Sequence, residues 1–465
     1  MVKRFIVLLF VFALVAAACS SDDSADDTTT TAAATEDTTE ATTTTEAMAD
    51  ETTTTSGGDG GEAAALRWRT RPDNDQEAAV YQSVSDSIQN QIGGVTLVYE
   101  AGGTETEGYQ QALLTQLAAG EAPDVFWIPG ADIADFASKD VLLNLAPYAT
   151  GDADFNVDDF YAGPMEQLTT DPATGQSDPA NYLWGLPRDV SAFALYLNND
   201  LIAESGAADP RDLAAAGEWD WAAFSEVAEQ VAALDPEISG YGQSSWWGPV
   251  GWWVNSAGGG FFNDARDACG LDSPESIEGV TAFRDFYASG AGFTYGEDPE
   301  PVFKAGQIGM FQNGRWATPG IREVDFNWDV VKLPDGPGGP SNWLFWGAYV
   351  VNANTENPEA AWSLVRALTS AEIQAQVAEL GANIPSRVSQ EALDAFLTFS
   401  PPDNNQAFLD GLSENPATEA PLWNGDWPSY RDEMNTRVNA VVTGDLTIEE
   451  FQANVCTDLN QYFDS

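Results

Sequence analysis

The chain contains no histidine, three cysteines, and only 18 lysines and arginines among its 465 residues. The missing imidazole removes Ser-His and Cys-His nucleophile systems and the His-based zinc sites. Three cysteines are too few for a disulfide scaffold. Against the 18 cations stand 73 Asp and Glu, a formal net charge of −55. That balance excludes nucleic acid as a partner, because phosphates would be repelled, and anionic membrane surfaces repel the chain as well. Long apolar runs are scarce too. The one that opens the chain, Phe5 to Ala18, falls short of the roughly 20 residues that span a bilayer. Asp152, Asp154, Asn156 and Asp158 have calcium-loop spacing, but Val157 and Gly163 stand where such a loop carries Gly and Glu. A solvated loop is expected there, with no metal site and no cofactor.

What is present begins with an export pattern. Lys3 and Arg4 precede the apolar run, and Val15-Ala-Ala-Ala-Cys19 follows. Residues 1–18 read as a signal peptide. The last five residues resemble a lipobox, with Ala16 where that pattern prefers Leu; the resemblance implies a lipidated Cys19. Residues 19–65 are Thr, Asp, Glu, Ala and Gly with almost no large apolar side chain. Such a segment cannot bury enough surface to order itself, so a disordered spacer is expected.

From Leu66 onward the texture changes. With 43% hydrophobic residues the remainder can bury two domain-sized cores. Leu66–Thr70, Val95–Tyr99 and Asp124–Ile128 read as strands, and Asp75–Ile92 and Glu107–Ala119 as helices, the second capped by Gly120. The βαβαβ order predicts a parallel sheet, and loops 101–106 and 129–132 then lie at strand carboxyl ends, where open α/β sheets bind ligands. In Leu183–Asp200 the residues from Val190 to Leu197 are largely apolar on both faces, which predicts one strand buried on both sides. Arg188 and Asp189 just before it are oddly placed unless they face a cleft. Trp246, Trp247, Trp252 and Trp253, with Asn255 and Phe261-Phe262 following, form the densest aromatic stretch. Flat rings beside a few polar groups suit the C–H faces and hydroxyls of sugars.

Several segments in order carry a resemblance: Tyr109–Val125 with its Ala-Ala-Gly-Glu-Ala-Pro-Asp-Val, Asp140–Tyr148, Glu218-Trp-Asp-Trp221, Cys269–Glu278, Phe303–Trp316, Trp343–Asn352, Asn357–Ser370, Asn383–Arg387 and Trp423–Tyr430. Together they resemble the extracellular solute-binding proteins of ABC transporters, the sugar-binding family that includes maltose-binding protein. The resemblance implies an α/β fold of two lobes, each a mostly parallel sheet flanked by helices, joined by crossing strands. Residues 66–189 and 347–386 would form the first lobe, and 190–346 and 387–465 the second. It implies a receptor, not an enzyme, that holds a carbohydrate in the inter-lobe cleft and delivers it to permease subunits. The receptor would be a monomer, attached to the membrane through its lipid anchor alone. Asp189, Trp247, Trp316 and Trp346 are the expected ligand contacts, with Arg387 and Trp427 as further candidates. A polyol or glycerol phosphate ester gripped by Arg188, Arg315 and Arg387 is the alternative ligand; an extracellular glycosidase with a carboxylate pair is the alternative of another class. In the family the last helix, Ile448–Tyr462 here, packs on the second lobe. An exported chain meets an oxidising compartment, so Cys269 and Cys456, which remain after Cys19, are expected to form a disulfide, with two separate thiols as the alternative.

Overall fold

A computed structural model describes residues 64–463, apart from 73–74, 104–105, 380, 382 and 414–415. Cys19, the export signal and the spacer up to residue 63 lie outside the described residues. The chain opens with β1 (Ala64–Thr70), α1 (Asp75–Ile88), β2 (Val95–Ala101), α2 (Thr106–Ala119) and β3 (Val125–Pro129). β1 lies between β2 and β3 and runs parallel to both. Leu66, Trp68, Val125, Phe126 and Ile128 are buried, as period-2 apolar patterning requires of a covered sheet.

The apolar run from Val190 to Leu197 is two strands, not one. β4 (Gly185–Ser191) belongs to the first sheet, and β5 (Phe193–Asn198), one residue later, belongs to a second. Each is an inner strand of its own sheet, which is why residues 190–197 are largely apolar on both faces, while Arg188 and Asp189 lie within β4. The second sheet is completed by β6 (Ser239–Gln243), β7 (Ile308–Gly314) and β8 (Trp328–Val331), in the order β8-β5-β7-β6. Between β6 and β7 lie α3 (Trp247–Ser256) and α4 (Pro274–Ala288). The chain then returns to the first sheet through β9 (Asn342–Val351), β10 (Ile384–Pro385) and the short β11 (Pro416–Thr418), giving β10-β4-β9-β3-β1-β2 with β11 beside β9.

Both sheets are mixed, which corrects the expectation of mostly parallel ones. β9 is antiparallel to β3 and β4, β10 to β4, and β5 to β7 and β8; β6 and β7 are parallel. β9, which returns from the second sheet, and β10 run opposite to the βαβ strands, whereas β4, which leaves for the second sheet, runs in their sense.

The second core gathers Phe224, Tyr241, Trp252, Trp253, Phe283 and Phe286 around β5–β7. Two closing helices join it, α5 (Trp427–Thr443) and α6 (Ile448–Leu459), through Tyr430, Met434, Val438, Phe451 and Val455. Fully burying each large apolar side chain contributes roughly 1.5–3 kcal/mol. Ser273 caps α4 by accepting the Ser276 N–H, with Pro274 at the first helical position. Thr447 and Glu450 form a reciprocal capping box on α6. A disulfide joins Cys269 to Cys456, 187 residues apart in sequence, with Cα atoms 5.2 Å apart. Among the described residues no helix is long and apolar enough to cross a membrane.

Two glycines shape the junction of the sheets. A Cβ on Gly347 would lie 2.0 Å from Trp127 Nε1, and one on Gly130 would lie 2.3 Å from the Trp346 ring. Both indoles therefore rest directly on backbone, which no other residue type permits at these positions.

Candidate functional site

A cavity of about 250 Å³ opens at this junction. Its first-sheet side includes Ala131, on the turn that follows the carboxyl end of β3, where the sequence places a ligand loop, and Ala417 on β11 and Trp343 on β9. The remaining wall comes from the second core and the late chain: Trp247 and Asn255 on α3, Phe261 and Arg266 after it, Glu419, and Trp427 opening α5. Trp247 stands edge-on to both Trp343 (5.1 Å between ring centroids) and Trp427 (5.6 Å). Edge-to-face packing of this kind fixes the rings relative to one another. Trp343 Nε1 donates to the Gly248 carbonyl at 2.8 Å.

Two other donors are not used within the protein. Trp427 Nε1 and Asn255 Nδ2 are both buried and have no hydrogen-bond partner, although Trp427 is only 5% exposed. A buried donor left unpaired costs roughly 1–3 kcal/mol, and such groups are rare in native proteins. Here both border a cavity large enough to hold the acceptors they lack.

Glu419 closes one side. Its carboxylate accepts the N–H groups of Ala131 (3.1 Å) and Trp346 (3.2 Å), and its backbone carbonyl accepts Trp346 Nε1 at 2.6 Å. Burial pushes the Glu419 carboxyl up to about 8, with those two N–H groups opposing the shift. At neutral pH it is largely the uncharged acid.

The expected contacts are distributed unevenly. Trp247 and Trp427 line the cavity. Trp346 lies behind the wall, 3% exposed, with its ring on Gly130 and its N–H groups on Glu419. Trp316 is not in the lining; it packs edge-on against Phe193 (6.2 Å) and Phe345 (5.7 Å). Asp189 is also outside the lining, because its carboxylate accepts Arg188 Nη2 at 2.7 Å. Arg188 in turn lies 3.9 Å from Glu77 and over the Trp127 ring at 4.7 Å. The odd charge pair, which lies within β4 and not before a strand, thus neutralises itself locally within a buried cluster. Arg387 lies away from the cavity, donating to Asp159 (2.8 Å) and to the Thr369 carbonyl (2.6 Å). Arg315 is fully buried among Phe396, Phe399 and Phe408 and donates to Asn405; burial pushes its guanidinium down to about 10. Arg188, Arg315 and Arg387 are therefore all engaged elsewhere and cannot grip a phosphate ester in this cavity.

Glu419 and Arg266 were not legible as site residues. Nothing local distinguishes Glu419 from the other acids. Arg266 sits in an unremarkable Asn-Asp-Ala-Arg-Asp loop, and only the scarcity of cations could have singled it out.

Residues 74–375 match the family described as bacterial extracellular solute-binding protein. The chain belongs to that family. Its fold is the two-lobe one of periplasmic binding proteins, and the family acts outside the cytoplasm. A maltotriose-binding protein of Pyrococcus abyssi is 24% identical over 323 residues, 65% of this chain and 62% of that protein, so the chain spans a little under two thirds of that relative's length. Among solved structures, an ABC substrate-binding protein of Listeria monocytogenes in complex with cycloalternan has a TM-score of 0.76 at 21% identity, covering 86% of this chain and 99% of that one. A Streptomyces glaucescens receptor solved unliganded and with acarbose has a TM-score of 0.73 at 18% identity, covering 86% and 98%.

Proposed function

We propose that this chain is the carbohydrate receptor of an ABC importer, that it has no enzymatic activity, and that its ligand occupies the cavity between Ala131 and the Trp247–Trp343–Trp427 cluster. The observation that carries the reading is the pairing of aromatic walls with unpartnered buried donors, Trp427 Nε1 and Asn255 Nδ2. Rings take the apolar sugar face and the donors take hydroxyl oxygens. The names of the relatives and of the similar structures, maltotriose, cycloalternan and acarbose, support a saccharide. Within this reading residues 66–189 with 347–386 form one lobe and 190–346 with 387–465 the other. Ligand bridging the two favours the closed state by its differential affinity, and the permease recognises closure of a monomeric receptor.

A thermal-shift screen of the exported chain over a saccharide panel tests the ligand class. A saccharide at 100 times its dissociation constant adds about 2.7 kcal/mol to stability and raises the melting temperature. No shift with any saccharide, or hydrolysis of aryl glycosides by the chain, would refute the reading. Attachment is proposed through lipidated Cys19, with the spacer carrying the folded body clear of the membrane. Cys19→Ser is then expected to release the protein into the medium, because stable anchoring needs the acyl chains; retention of that variant on membranes would rule the anchor out.

A further inference from the structure

We propose that the ligand is a hydroxylated molecule bearing one anionic group, a carboxylate or a phosphate ester, and that Arg266 receives that group. This rests on the carbohydrate-receptor reading of the same cavity and narrows it.

Arg266 lines the cavity. Its guanidinium lies over the Phe262 ring at 4.7 Å, and Nη2 donates to the Ala420 carbonyl at 3.1 Å. It forms no ion pair among the described residues, whereas Arg67, Arg188, Arg211, Arg366 and Arg387 each pair with an acid. Arg315 also lacks a counter-ion among the described residues, but it is sealed among Phe396, Phe399 and Phe408 and bonded to Asn405, whereas Arg266 lines a cavity in which a ligand could supply the missing charge. Its neighbours Asp264 and Asp267 are exposed, and Asp267 accepts instead from Asn263 Nδ2. Burial lowers the Arg266 proton affinity, with no carboxylate opposing the shift. Glu419, the acid in the cavity wall, turns its carboxylate to two backbone amides.

The backbone supports the same assignment. Arg266 has φ of +56°, a region that non-glycine residues seldom occupy and that clusters at functional sites. Bonds hold it there: its N–H donates to the Asn263 carbonyl at 2.9 Å, and its carbonyl accepts Asn424 Nδ2 at 3.2 Å. The loop thus places Arg266 on the same cavity as the two unpartnered donors, Trp427 Nε1 and Asn255 Nδ2. The net charge of the chain opposes an anion at long range, but salt screens that field beyond about 8 Å at physiological ionic strength. Inside the cavity the guanidinium, planar and matched to carboxylate or phosphate oxygens, dominates.

The test is calorimetric titration of the exported chain with galacturonic acid, which carries one carboxylate, with neutral galactose, and with glycerol 3-phosphate. The unsubstituted chain should bind one anionic probe at least tenfold tighter than the neutral saccharide; the two anionic arms separate carboxylate from phosphate. Arg266→Asn, which tolerates a left-handed backbone, should abolish that preference, weakening binding of the anionic probe at least tenfold more than that of the neutral saccharide. Arg266→Lys should keep part of it, and apo melting shows whether each variant is folded. Equal or tighter binding of the neutral saccharide would overturn the inference and leave the carbohydrate reading standing. A preference that survives in folded Arg266→Asn would overturn the role of Arg266, which would then only clamp its loop to Ala420. Binding of glycerol 3-phosphate alone would support the anion site and refute the saccharide frame, and no binding by any probe would refute both. The preference of the unsubstituted chain decides the case for an anionic ligand even without folded variants.

Discussion

Glu419 carries a proton that its surroundings favour, and the direction of that effect gives a pH dependence. Its carboxyl is raised from an ordinary 4.5 to about 8. Below pH 4.5 both folded and unfolded chains hold the proton, and the fold has the full benefit. Between pH 4.5 and 8 the unfolded chain releases it and the folded chain does not, so stability falls as pH rises. The total is on the order of 5 kcal/mol. Melting temperatures from pH 5 to 9 should therefore fall more for the unsubstituted chain than for Glu419→Gln, whose side chain does not titrate. Parallel curves would show that this carboxyl is not held neutral. Legibility at this scale was partial. Trp247 could be picked out from a cluster of tryptophans that suits sugar faces, and Trp427 from the resemblance of residues 423–430 to a late loop of the family; both line the cavity. Asp189 was recognisable as misplaced charge, yet what it meets is its own sequence neighbour, a geometry that spacing does not encode. Glu419 was hidden because one carboxyl among many acquires meaning only when two distant backbone amides, Ala131 and Trp346, converge on it.

The elements were easier to read than their partnerships. The amphipathic helices and the βαβ strands follow from periodicity, and Ser273-Pro274 announces α4 through its own side-chain chemistry. The division of residues 185–198 into β4 and β5 was not readable. An inner strand of either sheet is apolar on both faces, and the single-residue passage at Ala192 leaves no polar interruption. The mixed sense of the sheets was missed for a related reason: strand direction depends on where a long excursion returns. Cys269 and Cys456 belong to this scale as well. Their bond ties the segment before α4 to α6, and in the chain-entropy account a loop of 187 residues contributes about 5 kcal/mol, less whatever the native geometry costs. Reduction, or Cys456→Ser, is expected to lower the melting temperature clearly, and the protein denatured without reduction should titrate neither Cys269 nor Cys456. Two reactive thiols there would contradict the pairing.

At the scale of the whole molecule, the two sheets meet where β3, β9 and the start of α5 converge, and glycines at 130 and 347 let tryptophans lie against the backbone there. The junction holds the cavity because each wall comes from a different part of the chain, and a ligand that touches Ala131 and Trp427 together links them. The order of motifs along the sequence made this architecture legible; the cavity's polar chemistry was not, since it depends on contacts between segments more than a hundred residues apart. The account's central claim is that Trp427 and its neighbours bind a saccharide directly. Calorimetric titration of Trp427→Phe, with the saccharide that most stabilises the unsubstituted chain, tests it without emptying the wall. Loss of the Nε1 donor and part of the ring should weaken binding about tenfold, roughly 1.4 kcal/mol, with the apo melting temperature lowered only slightly. Unchanged affinity in a folded Trp427→Phe protein would contradict the claim and place the binding site elsewhere.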